Sequence, residues 1–237
     1  MLALLLCGVA VAQEVVRQHT GATDPLSEGF RLGLGGGSSV GPLANDLGRA
    51  SWSLKSEGYP VNYSLALSSQ EQAAVAGQEL AYAGTLRIVK GRNIYMVLYA
   101  GTTRFVLGFD QQSDGDPVVS AESGPPFSLD PVFVFEGAGP GYHTYELAYC
   151  AASASAALWV DGIERVNSLP SVSGAWGWGG SWGAVQGASS DANWSSVTFA
   201  IVPEPSLLAL LGWGAVFLCP RLWCRRGVAQ YGVHRGQ

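Results

Sequence analysis

An all-β fold, two antiparallel sheets packed as a sandwich with one short helix, is what this sequence predicts. Three observations lead there. From Phe30 to Ile201 short runs rich in β-branched and aromatic residues alternate with glycine, proline and serine turns, and no long stretch repeats every 3.6 residues. The 32 glycines among 237 residues are roughly twice the usual share of about 7%, which suits many tight turns. Charged residues make up 13%, about half the usual fraction, which leaves little material for exposed charged helices.

The strands are predicted over Tyr82 to Val89, Asn93 to Ala100, Thr103 to Asp110, Val132 to Glu136, Tyr142 to Cys150, Ala156 to Val160 and Trp194 to Ile201. In Thr85-Leu86-Arg87-Ile88-Val89-Lys90, Leu86 and Ile88 share one face and Arg87 and Val89 the other, so one face is packed and one is wet. Gly91-Arg92 and Gly101-Thr102 sit between strand runs and read as hairpin links of an antiparallel meander, with glycine supplying positive φ. Asp161-Gly162 has the composition of a type I′ turn. Ser69 to Ala76 reads as the one helix, with a serine start, Gln72 as its capping-box partner and Gly77 as its stop. Each sheet must bury one apolar face against another layer, and a sandwich of the jelly-roll type is the expected solution.

Length suits one sizeable domain at 24–201, flanked by targeting segments. Residues 1–12 are continuously apolar and close on Ala10-Val11-Ala12, a small-x-small pattern for cleavage before Gln13, so they read as a secretory signal peptide. At the other end Val202-Pro203-Glu204-Pro205-Ser206 breaks the preceding strand, because proline lacks an amide donor. Leu207 to Cys219 carries no charge, and with Leu222, Trp223 and Cys224 it approaches the length of a thin-bilayer span. Arg225 and Arg226 then stay on the cytoplasmic side and the domain faces outward. The segments are thus 202–226 for the Pro-Glu-Pro element, transmembrane helix and arginines, and 227–237 for a tail.

Val202-Pro203-Glu204-Pro205, then Leu207-Leu208-Ala209-Leu210-Leu211-Gly212, then Arg225-Arg226-Gly227, resembles the PEP-CTERM sorting signal of Gram-negative bacteria that make extracellular polysaccharide. The resemblance implies recognition by an exosortase, a membrane-embedded cysteine transpeptidase. It also implies anchoring in the inner membrane before processing, and release to the cell envelope or extracellular matrix afterwards. Within the domain, Tyr142-His143-Thr144-Tyr145-Glu146-Leu147, Ala157-Leu158-Trp159-Val160-Asp161-Gly162 and Asn193-Trp194-Ser195-Ser196-Val197-Thr198-Phe199 resemble the concanavalin-like, laminin-G-like lectin sandwich. That resemblance implies carbohydrate binding, with extracellular polysaccharide as the partner.

The residues argue against most catalysis. Sugar hydrolysis takes two carboxyls about 5 to 10 Å apart, and no strand here alternates carboxylates as laminarinase-like enzymes do. His143 is the only histidine in 24–201 and reads as a strand-end histidine bonded to backbone or a neighbouring turn. With one histidine and one cysteine in those bounds a zinc site is not expected. Cys150 reads as a small buried apolar residue with no disulfide inside the domain. Asp110, Asp114 and Asp116 surround Gly115 like a calcium loop but lack the closing glutamate, Ala121 standing in its place, so calcium is the one candidate cofactor. Gly33 to Ser39 lacks a P-loop lysine, and an acidic domain in a chain of net charge −5 is a poor partner for nucleic acid.

Trp176, Trp178 and Trp182 lie in Gly-Ala-Trp-Gly-Trp-Gly-Gly-Ser-Trp-Gly, which reads as a loop. They read first as a plug for the sandwich's open end; the other reading, stacking on sugar rings, makes them the candidate sugar-binding residues. Asn45, Asp46 and Arg49 are further polar candidates that nothing in the sequence brings together. The reading is a non-enzymatic, lectin-like exported protein; its rivals are a polysaccharide-active enzyme on the same sandwich and a passive matrix protein.

Overall fold

Alternation of apolar and polar side chains divides the chain between two antiparallel sheets that pack face to face. The computed structural model describes residues 13–65, 67–124, 128–184 and 189–203. The elements are β1 (Glu14–Thr20), a 3-10 turn (Pro25–Glu28), β2 (Phe30–Leu34), β3 (Ser39–Asp46), β4 (Arg49–Glu57), β5 (Val61–Leu65) and α1 (Ser69–Val75). Then follow β6 (Glu79–Lys90), β7 (Ile94–Gln111), β8 (Pro117–Glu122), β9 (Leu129–Val134) and β10 (His143–Cys150). The chain closes with β11 (Ser155–Val160), β12 (Ile163–Val166), β13 (Val172–Ala184) and β14 (Ser189–Val202).

One sheet has eight strands in the order β12-β11-β10-β6-β14-β4-β3, with β1 also paired to β14; the other has six, in the order β2-β5-β13-β7-β8-β9. The chain passes between the sheets repeatedly: β5, β6 and β7 each lie in the sheet opposite their predecessor, as do β13 and β14. The strict alternation of β10 shows why this works, since His143, Tyr145, Leu147 and Tyr149 are buried between the sheets while Thr144, Glu146, Ala148 and Cys150 face away. Trp182, Trp194, Tyr63, Tyr82, Tyr145, Phe105, Phe109 and Phe199 form the fully buried aromatic centre. Rings of this size remove about 150–250 Å² each from water. That is about 4–6 kcal/mol of gross burial at ~25 cal/mol/Å², before the cost of ordering them. Space for them comes partly from glycine: a Cβ at Gly180 would stand 2.7 Å from the Tyr82 ring, and one at Gly84 2.9 Å from Trp194.

The seven expected strands are all present, and several details differ. The Gly101 link behaves as expected: β7 doubles back there, at φ +66°. The Asn93 N–H donates to Asp110 at 3.2 Å, which is incompatible with one straight run of about 55 Å at ~3.3 Å per residue. Ile94 to Gly101 then pairs with β13 and Leu107 to Gln111 with β8. The Gly91 link is not a hairpin, because β6 and β7 belong to different sheets. Glycine is needed at 91 for closeness, as a Cβ would meet the Ser189 carbonyl at 2.1 Å.

The tryptophan-rich segment is strand β13, not a loop. Helix α1 is capped by Ser68 and Glu71 in a reciprocal capping box, one residue ahead of the expected Ser69 and Gln72. The sandwich also begins before residue 24, since Glu14–Thr20 pairs with β14; a bulge between Val15 and Arg17 blurs its alternation in the sequence. Asp161 and Gly162 both take positive φ, 49° and 76°, as the predicted turn between β11 and β12 requires. Cys150 is half-buried and disulfide-bonded, which corrects its reading as a buried free thiol. The signal peptide with Ala10 and Ala12, and Glu204, Pro205, the apolar run, Arg225 and Arg226, lie outside the described residues. Among the described residues no helix is long and apolar enough to cross a membrane.

Candidate functional site

The outer face of the six-stranded sheet carries an open trough of about 450 Å³. Its floor follows from strand register. On β5, Val61, Tyr63 and Leu65 point into the core, so Asn62 and Ser64 face outward. Ser64 is the cross-strand partner of Ser181 on β13, which is in turn the partner of Val97 on β7. Beyond the β7 turn the outward residues are Arg104 and Val106, then Glu122 on β8 and its partner Leu129 on β9. The trough therefore crosses the strands, spanning β5, β13, both arms of β7, β8 and β9, or about 24 Å at ~4.8 Å per strand.

Tyr95 and Tyr99 rise on either side of Val97. Burial pushes the Tyr95 hydroxyl well above the ordinary tyrosine range, with a smaller contribution from Tyr99, so it remains a neutral hydrogen-bonding group. At the Tyr99 flank a flat surface is assembled from three residues. The Trp176 ring lies 6.3 Å from that of Tyr99, and the Arg104 guanidinium sits 4.2 Å over the indole. Arg104 is fixed in this position by a fork onto Glu122, its Nε donating at 3.1 Å and a terminal nitrogen at 2.7 Å. Trp176 rests on Gly174, where a Cβ would stand 2.7 Å from the ring. It is 38% exposed, a large value for an indole held by packing on one side.

The three candidate tryptophans have different fates. Trp178 and Trp182 pair across β7 with the inward residues Ala100 and Met96, and both point into the sandwich. Trp182 is fully buried, stacked on Tyr63 at 4.9 Å and on His19 at 5.2 Å, so it has no face for a sugar; its place in the sugar-binding set is withdrawn. Trp178 is half-buried and packs edge-on to Tyr149 at 6.3 Å. Trp176 turns outward because the pairing slips between Ser173 and Gly177, where Gly177 has φ +76°. Alternation along β13 is broken there, and no residue pattern signals on which side.

The candidate calcium ligands are not brought together. Asp116 accepts the Gly137 and Gly139 N–H groups at 2.6 and 2.8 Å, and these backbone donors, Gly139 first, hold its carboxyl below the ordinary range. Asp114 accepts the Asp116 N–H and Asp110 the Asn93 N–H. Each carboxylate ties down its own stretch of backbone, and among the described residues no group of three or more His, Cys, Asp or Glu is placed to hold a metal ion. His143 bonds through Nδ1 to Asp161 of the adjacent turn at 2.9 Å, with its ring 4.5 Å from that of Phe135.

Asp46, by contrast, organises a cluster that sequence spacing hides. Its carboxylate accepts both Arg87 donors at 2.9 and 2.6 Å, the Tyr142 hydroxyl at 2.7 Å and the Asn193 amide at 2.7 Å. Burial pushes this carboxyl up, but the Arg87, Tyr142 and Asn193 donors outweigh it and hold it below the ordinary range. Arg49 lies 5.4 Å over the Tyr142 ring, and Asn45 accepts the Gly48 N–H within the hairpin turn. All four donors are committed to Asp46, so the cluster fastens strands to one another.

No family model matches the chain, and no curated protein matches it in sequence. The fold itself has solved counterparts. A structure described as a conserved carbohydrate esterase from the Shiga toxin-encoding bacteriophage phi24B superposes with a TM-score of 0.57 at 11% identity, covering 81% of this chain and 100% of that one. Domain 4 of an extracellular arabinanase from Geobacillus stearothermophilus, solved with arabinotriose, covers 80% and 93% at 9% identity with a TM-score of 0.49. A xylan-binding domain from Paenibacillus barcinonensis covers 81% and 97% at 13% identity with a TM-score of 0.37. The phage structure carries the fold likeness; the other two are more distant.

Proposed function

We propose that this protein is an exported, envelope- or matrix-associated domain that binds polysaccharide along the trough without cleaving it. The observation that carries the reading is the flat surface of Trp176, Arg104 and Tyr99 beside a floor in which Asn62 and Ser64 alternate with aliphatic Val97, Val106 and Leu129. Sugar rings present one face of axial C–H groups and an edge of hydroxyls. An exposed indole matches the face, and amide, hydroxyl and phenol groups such as Asn62, Ser64 and Tyr95 match the edge. The absence of turnover is supported by the carboxylates: Glu122 is the only one among the described lining residues, and Arg104 already holds it. Glycoside hydrolysis takes two.

Retardation in native gels containing polysaccharide tests the binding. Stacking on one aromatic ring is worth about 1–1.5 kcal/mol, so Trp176→Ala should weaken retardation about 10-fold. Equal retardation of both proteins would remove the trough from the account.

Export and sorting rest on the sequence of the two ends, read with one structural support. The last strand finishes at Val202, where the Pro-Glu-Pro element begins, so cleavage there by an exosortase leaves every described strand in place. Intact mass of the protein recovered from its host should give a form beginning near Gln13 and ending near Pro203 to Pro205. A full-length product in the cytoplasm would overturn the sorting half of the proposal.

A further inference from the structure

The trough crosses six strands, yet only two of its described lining residues carry a formal charge, and these two are bonded to each other. Arg104 is the cation of the pair. Its Nε and one terminal nitrogen are spent on Glu122, and its face is spent on Trp176. The Glu122 side chain is 6% exposed and the Arg104 side chain 17%, so the pair is neutralised below the surface that a ligand would touch. The rest of the floor and flanks is hydroxyl, amide, phenol and aliphatic.

Resting on the binding proposal above, we infer that the trough takes uncharged polysaccharide and discriminates against polyuronates and other acidic chains. Recognition of a carboxylate calls for an arginine fork open to the ligand, and the fork that Arg104 offers is closed by Glu122. Inserting a sugar carboxylate would place it beside the Glu122 carboxylate and strip its water without a partner, which is unfavourable. The wider field acts in the same direction, as Gln13 to Val202 contains nine basic against seventeen acidic side chains. The neighbouring charges are of both signs: Arg31 pairs with Ser64 and Arg92 precedes Asn93, while Asp110 accepts the Asn93 N–H and Asp130 follows Leu129.

The test runs the full chain through native gels at low salt. One set of gels carries neutral polymers (hydroxyethylcellulose, xylan, galactomannan) and the other polyuronates (alginate, polygalacturonate). Wild type, Trp176→Ala and Glu122→Gln are compared, each first shown to be folded by circular dichroism. The expected result is retardation by at least one neutral polymer, reduced about 10-fold in Trp176→Ala, with none by polyuronates. Glu122→Gln, which removes the carboxylate charge facing Arg104, should acquire polyuronate retardation. Wild-type retardation by a polyuronate that Trp176→Ala abolishes would overturn the charge selection and leave the trough standing. Retardation equal in wild type and Trp176→Ala, or none by any polymer, would overturn both. Should Glu122→Gln not fold, the wild-type comparison alone decides.

Discussion

Beneath the sandwich surface, His19 is held between a carboxylate and an aromatic wall. Nδ1 bonds to Glu28 at 2.6 Å, and the ring stacks on Trp182 with Trp52 and Phe30 edge-on. Nε2 is buried with no hydrogen-bond partner among the described residues. Burial lowers the pKa of this imidazole, and the opposing contributions of Glu28 and Asp24 do not restore it. The folded state therefore binds the His19 proton more weakly than the unfolded chain does. Stability from this site is fully present above about pH 6.5 and is lost as pH falls below it. The carboxylates held low, Asp46 and Asp116, keep their contribution until the pH falls below the ordinary carboxylate range, so the two effects separate. Thermal melts should show a decline as pH falls below about 6.5 that His19→Gln removes; an unchanged decline in that variant would assign it elsewhere. A histidine six residues after Gln13 gives no sequence sign of this role, because its neighbours come from β2, β4 and β13. Trp176 was nominated by its residue type, but its exposure, against the burial of Trp182 six positions on, depends on a slip in pairing that no local pattern records.

Among the elements, β13 shows how glycine serves two ends. Gly179 and Gly183 lie at φ +145° and +155°, and a Cβ at Gly183 would stand 2.2 Å from the Val61 carbonyl, so β5 can approach only because these positions are bare. The same bareness keeps the trough floor open. It also makes the segment read as a loop, since glycine is depleted in most strands. Strands with clean alternation, such as β6, β10 and β14, were legible from sequence. The β7 turn at Gly101 was legible too, because glycine between two apolar runs is a local signal. Assignment of β6 and β7 to opposite sheets was not, because Gly91 offers the same local signal and only packing distinguishes the two cases. The Asp46 cluster fastens the β3–β4 hairpin to β6, β14 and the start of β10, with donors drawn from positions 87, 142 and 193. Such long separations leave no trace in spacing.

At the level of the whole molecule, one sandwich presents two outer faces of different character. The eight-stranded sheet turns outward a polar cluster whose groups are bonded to one another, whereas the six-stranded sheet turns outward an open trough flanked by the exposed Trp176. The fold class is readable from composition and alternation. The trough is not, because it runs across strands and takes its residues from positions 62 to 129 together with 176 and 181. An uncharged polymer is the ligand proposed for it. Amide chemical-shift mapping during titration with a short neutral oligosaccharide tests that account most directly. The largest shifts should fall at Tyr95, Val97, Tyr99, Arg104, Ser181 and the Trp176 indole. Shifts centred instead on Tyr142 and Asn193, on the opposite face, would contradict it.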